Sequence, residues 1–132
     1  MFAKTVTYTD YNNVERTETF YFNLTKAEVL EMELGTTGGL SAMIQGVIDA
    51  KDTPQLIKIF KDLVLKAYGE KSADGRRFIK NAQISEDFSQ TEAYSEIFME
   101  LATNDKAASA FVEGITPKGL ENYAKPSLNE VN

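Results

Sequence analysis

The sequence predicts an α+β fold, with an N-terminal β-hairpin packed on a mostly helical bundle of about five helices. Two observations carry this. Apolar residues alternate with period 2 up to Leu24, and they recur with helical period from Thr25 onward. The length of 132 residues suits one domain, here placed at residues 1–124, with a flexible polar tail at 125–132.

The hairpin is assigned to residues 2–24. Phe2, Val6 and Tyr8 alternate with Ala3, Thr5, Thr7 and Thr9. Val14, Phe20, Phe22 and Leu24 alternate with Glu15, Thr17, Thr19 and Tyr21. Threonine, valine and aromatic residues favour a half-buried pleated surface. Asp10-Tyr11-Asn12-Asn13 forms the turn, since Asp and Asn tolerate its backbone. Arg16 and Glu18 share parity with Phe20 and Phe22, so the hairpin base buries a face and the tip projects beyond the core.

The helical part spans residues 25–124. Thr25-Lys26-Ala27-Glu28 is a capping box that opens a helix, which Gly35 stops. Leu40, Met43, Ile44, Val47 and Ile48 form one apolar stripe of a second helix. Thr53 is read as the N-cap of a third, with Pro54 at its first position. Leu56, Ile57, Ile59, Phe60, Leu63, Val64 and Ala67 exceed one stripe, which places that helix centrally, packed on two sides.

Ser72-Ala73-Asp74-Gly75 is a turn, followed by a short extended piece at 76–80. Ser89-Gln90-Thr91-Glu92 reads as a second capping box before Tyr94, Ile97, Phe98 and Leu101. Asn104-Asp105 caps a further helix carrying Ala107, Ala108, Phe111 and Val112, which Gly114 and Pro117 end. Leu120 and Tyr123 add one more turn.

Composition narrows the function. The 42% hydrophobic and 26% charged content is that of a soluble globular chain. With 14 Lys+Arg against 20 Asp+Glu, the net charge of -6 disfavours nucleic acid, whose phosphates need a positive surface. Cysteine and histidine are both absent, which removes thiol chemistry, the commonest general base and the imidazole ligand. No apolar run approaches the roughly 20 residues of a spanning helix, and no signal-type segment is visible, so a membrane is not expected and the cytoplasm is.

Charge is unevenly spread: residues 51–85 carry net +4 between segments of net -4 and -6. Internal pairing explains that pattern, and so does a bipolar docking surface. Glu92, Glu96 and Glu100 recur at i, i+4, i+8 and read as a solvated helix face rather than as acid/base machinery. The glycines of residues 35–39 lack the lysine of a phosphate loop. Arg76 and Arg77 could grip an anion, but salt bridges with the acidic flanks are the simpler expectation. No residue set supports catalysis, a cofactor or a metal, so a non-enzymatic binder is expected.

Tyr11, Phe78, Phe88 and Tyr94 sit in or next to loops and are the candidate partner-binding residues, with Phe88 and Tyr94 first. Core packing is the default role for each and a partner-binding patch the second, and core filling is likewise the first role of Met32, Met43 and Met99, with groove lining second.

Three stretches carry a resemblance over nearly the whole chain. They are Tyr11-Asn12-Asn13-Val14-Glu15-Arg16 with Phe20-Tyr21-Phe22-Asn23-Leu24-Thr25, the run from Tyr68 to Phe78, and the run from Phe88 to Leu101. These resemble the tail assembly chaperones encoded in the tail modules of phages and prophages of Gram-positive bacteria. The resemblance implies a chaperone that coats the phage tape measure protein before tail tube polymerisation. It would shield apolar helices and help recruit the tail tube protein. It also implies the host cytoplasm, and a homo-oligomer is compatible with it. The alternatives are a structural virion protein of the tail or head-tail region, and a small host-directed phage effector.

Overall fold

The computed structural model describes residues 1–34, 49 and 51–118. The expected stop at Gly35, the loop at 35–39, the stripe at 40–48, the turn at Leu120 and Tyr123 and the tail at 125–132 lie outside these residues. The expected α+β class is observed: an antiparallel hairpin, then five helices among the described residues.

The hairpin consists of β1 (Phe2–Thr9) and β2 (Glu15–Phe22), paired from Phe2↔Phe22 to Thr9↔Glu15. Its inner face holds Phe2, Val6, Tyr8, Phe20 and Phe22, and burial fades toward the tip. From Glu15 to Thr19 every residue of β2 is exposed, as the polar parity of Arg16 and Glu18 requires. On the outer face, Thr5 bonds Thr19 at 2.8 Å and Thr7 bonds Thr17 at 2.9 Å, so the hydroxyls satisfy one another across the strands. Val14 belongs to the turn and Leu24 follows β2, so both lie just beyond the paired residues.

α1 (Lys26–Leu34) opens on the expected capping box: the Glu28 amide donates to Thr25 Oγ1 at 3.1 Å, and the Thr25 amide to Glu28 Oε1 at 2.8 Å. α2 (Thr53–Ala67) is capped by Asp52, which accepts from the Gln55 amide at 3.2 Å. Thr53 is therefore the first helical residue rather than the cap, because the carboxylate one position earlier takes the free amide. Of the two-sided packing expected of α2, the Ile57 side is not observed, although Leu65, off the main face, also packs against the core. Ile59, Phe60, Leu63, Val64 and Ala67 lie on one broad face, while Ile57 is 42% exposed.

The sheet has four strands in the order β1-β2-β3-β4. β3 (Tyr68–Lys71) leaves α2 directly and pairs with the base of β2 at Phe22↔Tyr68. β4 (Phe78–Ile79) lies within the expected extended piece and pairs with β3 across the turn at 72–75. Asp74 Oδ1 accepts from Ser72 Oγ at 2.6 Å and from the Arg76 amide at 3.0 Å. Gly75 has φ +74°, which glycine adopts without a Cβ penalty.

α3 (Ala82–Ser89), capped by Asn81, has no counterpart in the expected elements. Ser89 ends it and donates to the Glu86 carbonyl at 2.6 Å. The second capping box is thus corrected: Thr91 alone caps α4 (Glu92–Thr103), accepting from the Tyr94 amide at 3.1 Å. α5 (Asp105–Ile115) is capped by Asn104 as expected. It runs through Gly114 to Ile115 instead of stopping there, and the glycine serves close packing, since a Cβ at that position would lie 2.5 Å from Phe2 Cδ1.

Phe22, Leu24, Val64, Phe88, Ile97, Phe111 and Ile115 form the centre of one continuous core. Burial of each large apolar side chain contributes about 1.5–3 kcal/mol. The segment after β2 is stitched to both neighbouring helix ends: the Asn23 amide donates to the Ala67 carbonyl at 2.9 Å, and the Leu24 amide to the Ile115 carbonyl at 3.1 Å. Lys80 clamps the same joint, donating to the Asn23 carbonyl at 2.6 Å and to both Glu28 oxygens near 2.9–3.0 Å.

That clamp gives a pH signature. Desolvation pushes the Glu28 carboxyl up, but the Thr25 amide and the Lys80 ammonium outweigh it and hold the pKa below the ordinary value. The folded state therefore binds fewer protons than the unfolded chain. The contribution is complete above the ordinary carboxylate pKa of about 4.3 and is lost as pH falls toward the lowered folded value. Lys80→Met is expected to destabilise the protein at pH 7 and to flatten the acid limb of a stability–pH curve. Urea melts between about pH 7 and pH 3 check this. An acid limb identical to wild type would show that Lys80 does not hold the carboxylate.

Candidate partner-binding surface

The surface is built around Phe88, which the sequence placed near a loop. Asn81 Oδ1 accepts from the Ile84 amide at 2.8 Å and starts α3, which turns Ile84, Ser85 and Phe88 inward. Phe88 is only 3% exposed. Its ring stacks on Tyr68 at 3.9 Å and 12° and lies 5.4 Å from Phe20, 5.9 Å from Phe22 and 5.5 Å from Tyr94. Phe88 is thus the hub of an aromatic cluster and is not itself offered to solvent.

The half-buried rings around it form the accessible rim. Tyr94 meets Phe88 edge-on and stacks with Phe98 at 5.9 Å. Burial pushes its hydroxyl pKa up, and the Asp62 charge adds to this. Tyr68 is raised by burial and by the charges of Glu70 and Glu18. Tyr8, whose hydroxyl donates to Glu18, is raised by that hydrogen bond first and by burial second. All three phenols are neutral at physiological pH, so the rim presents apolar rings with hydrogen-bonding tips.

The other two candidate residues lie elsewhere. Phe78 sits on the outer face of the sheet, over Gly69, where an added Cβ would meet its ring at 2.6 Å. Lys71 lies 4.4 Å above the neighbouring Tyr21 ring, and Lys80 lies 5.7 Å from Phe78. Tyr11 occupies the hairpin turn and is 74% exposed. The fold therefore brings Phe88 and Tyr94 into ring contact, places Phe78 on the outer sheet face, and sets the exposed Tyr11 with its hydroxyl near Glu92 at the start of α4.

Sequence reasoning missed Tyr8, Phe20 and Tyr68 as rim residues. A signal existed for the first two: Arg16 and Glu18 follow the parity of Phe20, so the inner face turns polar there and nearby rings must stand at a core edge. Tyr68 gave no such signal, because it continues the apolar pattern of α2.

Beside the cluster, β1 is tied to α4 by Lys4 and Glu100 at 2.7 Å. A cleft of about 320 Å³ opens there between β1, α4 and α5, with Phe2, Leu101 and Phe111 among its floor and Lys4, Glu100 and Lys106 on its rim. Arg76 and Arg77 form no salt bridge among the described residues, so the pairing expected for them is not observed. Among the described residues no cluster of carboxylates could hold a metal ion, and no helix is long and apolar enough to cross a membrane.

A buried aromatic hub with an accessible rim of tyrosines suits protein recognition. Comparison with known proteins agrees with that class. No curated protein and no solved structure matches the chain. The family model described as phage tail assembly chaperone matches residues 1–131, nearly the whole sequence. The chain belongs to the phage tail assembly chaperone family.

Proposed function

We propose that the protein binds the tape measure protein of its phage in the host cytoplasm and helps recruit tail tube subunits before the tube polymerises. It acts by binding alone, without a catalytic step or cofactor. The family match over residues 1–131 carries this reading. The rim around Phe88 supports it physically. Tyr8, Phe20 and Tyr94 are half-buried, packed on the core and fixed in place. Such rings lose little conformational entropy when they bury the apolar side of a partner helix.

Of the residues named from the sequence, Tyr94, Tyr11 and Phe78 are the proposed contact residues, and Phe88 supports Tyr94 from beneath. Co-expression with the tape measure protein, followed by pull-down, tests the reading. Co-purification is expected, together with absence or rarity in purified virions. A fixed copy number per virion without co-purification would instead select a structural tail or head-tail protein.

A further inference from the structure

The hairpin turn departs from the rest of the surface. Five large hydrophobic residues are exposed among the described residues, and two of them, Tyr11 at 74% and Val14 at 50%, share this one turn. Exposed single apolar residues are ordinary, but a paired aromatic and aliphatic residue on a protruding tip is a recognisable docking shape.

The tip is also rigid. Asp10 Oδ1 accepts from the Asn12 amide at 2.8 Å and from the Val14 amide at 3.0 Å. Asp10 Oδ2 accepts from Arg16 Nε, and the Asn13 amide donates to the Asp10 carbonyl at 2.9 Å. Asn13 takes φ 62°, the left-handed region that asparagine tolerates. None of these bonds covers the tip, so the turn holds Tyr11 and Val14 in place with the Tyr11 ring and the Val14 side chain exposed, only the Tyr11 hydroxyl meeting a neighbour, Glu92.

Acidic side chains form a charged collar at this end of the hairpin. Glu15 follows Val14, Glu18 holds the Tyr8 hydroxyl and Glu92 lies beside the Tyr11 hydroxyl. With Asp10 and its partner Arg16, the collar carries four carboxylates and one guanidinium. Among the described residues no lysine or arginine forms a close salt bridge with Glu15, Glu18 or Glu92, and only Arg16, already bonded to Asp10, lies near enough to Glu18 for their charges to interact.

We propose that the hairpin tip is a docking knob for a basic amphipathic segment, in which lysine or arginine side chains flank an apolar one. Tyr11 and Val14 bury against the apolar stripe, and the collar sets register and speeds encounter with the cations. Acidic partners, nucleic acid and anionic lipid surfaces are repelled by the same collar. The inference rests on the proposed function for the identity of the partner and adds the chemistry of the segment bound.

Overlapping fragments of the phage's own tape measure protein, about 40 residues each, provide the test. Wild-type protein is expected to capture the fragments of net positive charge, and Tyr11→Ser with Val14→Ser to bind them at least tenfold more weakly. Circular dichroism and a thermal melt unchanged from wild type show that this double variant is folded. Glu15→Gln with Glu92→Gln is expected to weaken binding several-fold at about 0.15 M salt and not at about 1 M, where the screening length falls to about 3 Å. If wild type binds fragments and the folded tip variant binds them equally, the tip is not the knob and the tape measure reading stands. Capture of neutral or acidic fragments with no effect of the glutamate changes overturns the basic-segment chemistry. If wild type captures no fragment, both the reading and the inference fall.

Discussion

Phe88→Ala is expected to lower stability by about 3–5 kcal/mol, the range for removing a large buried aromatic side chain. Phe88 touches four other rings and is 3% exposed, so truncation leaves a cavity bounded by Phe20, Phe22, Tyr68 and Tyr94. Those rings come from β2, the start of β3 and the first turn of α4. None can collapse into the space without moving its own element. The loss takes both transfer free energy and the edge-to-face and stacked contacts, each about 0.5–1.5 kcal/mol beyond area burial. Urea melts followed by circular dichroism measure it. A loss below about 1 kcal/mol would show that the cluster is loosely packed.

The size of this effect governs how binding experiments are read. A stability loss of this order is a large share of the 5–15 kcal/mol typical of a whole domain. Phe88→Ala would thus weaken partner capture simply by depleting folded protein. Tyr11 and Val14, exposed and outside the core cluster, separate binding from folding where Phe88 cannot.

The hairpin was legible because β1 alternates with period 2 along its length and β2 resumes that alternation at its base with Phe20 and Phe22. The first capping box was legible because Thr25 and Glu28, three residues apart, bond each other's amides locally. β3 and β4 were harder, since four and two residues show too little periodicity, and they become strands by pairing onward from β2. α3 is similar: its eight residues hold one i, i+4 pair of large apolar side chains, Ile84 and Phe88, with the Asn81 cap as a further signal. Missing that helix left Phe88 in an apparent loop and suggested exposure for a core residue. Tyr11 was easier to place, because a turn residue between two long strands has nothing to pack it.

Gly114→Ala is expected to destabilise, against the ordinary helix rule. In an exposed helix interior alanine is favoured over glycine by about 1 kcal/mol. Gly114 lies in the last turn of α5, and sequence alone reads it as a terminator. An alanine Cβ there would sit 2.5 Å from Phe2 Cδ1 and 3.0 Å from Phe2 Cβ, so one of the two elements must shift. Phe2 has little room to retreat: its ring meets Phe111 edge-on at 5.5 Å and Phe22 at 6.4 Å. Overpacking of this kind costs about 1–3 kcal/mol, which exceeds the propensity gain. The same displacement strains the neighbouring hydrogen bond from the Leu24 amide to the Ile115 carbonyl, which ties the end of the hairpin to α5. A double-mutant cycle with Phe2→Ala isolates the clash. With the ring removed only the 3.0 Å approach to the residue-2 Cβ remains, so Gly114→Ala should cost clearly less than it does with Phe2 present. Stabilisation by Gly114→Ala with Phe2 still present would mean that the N-terminal strand does not hold this ring against α5.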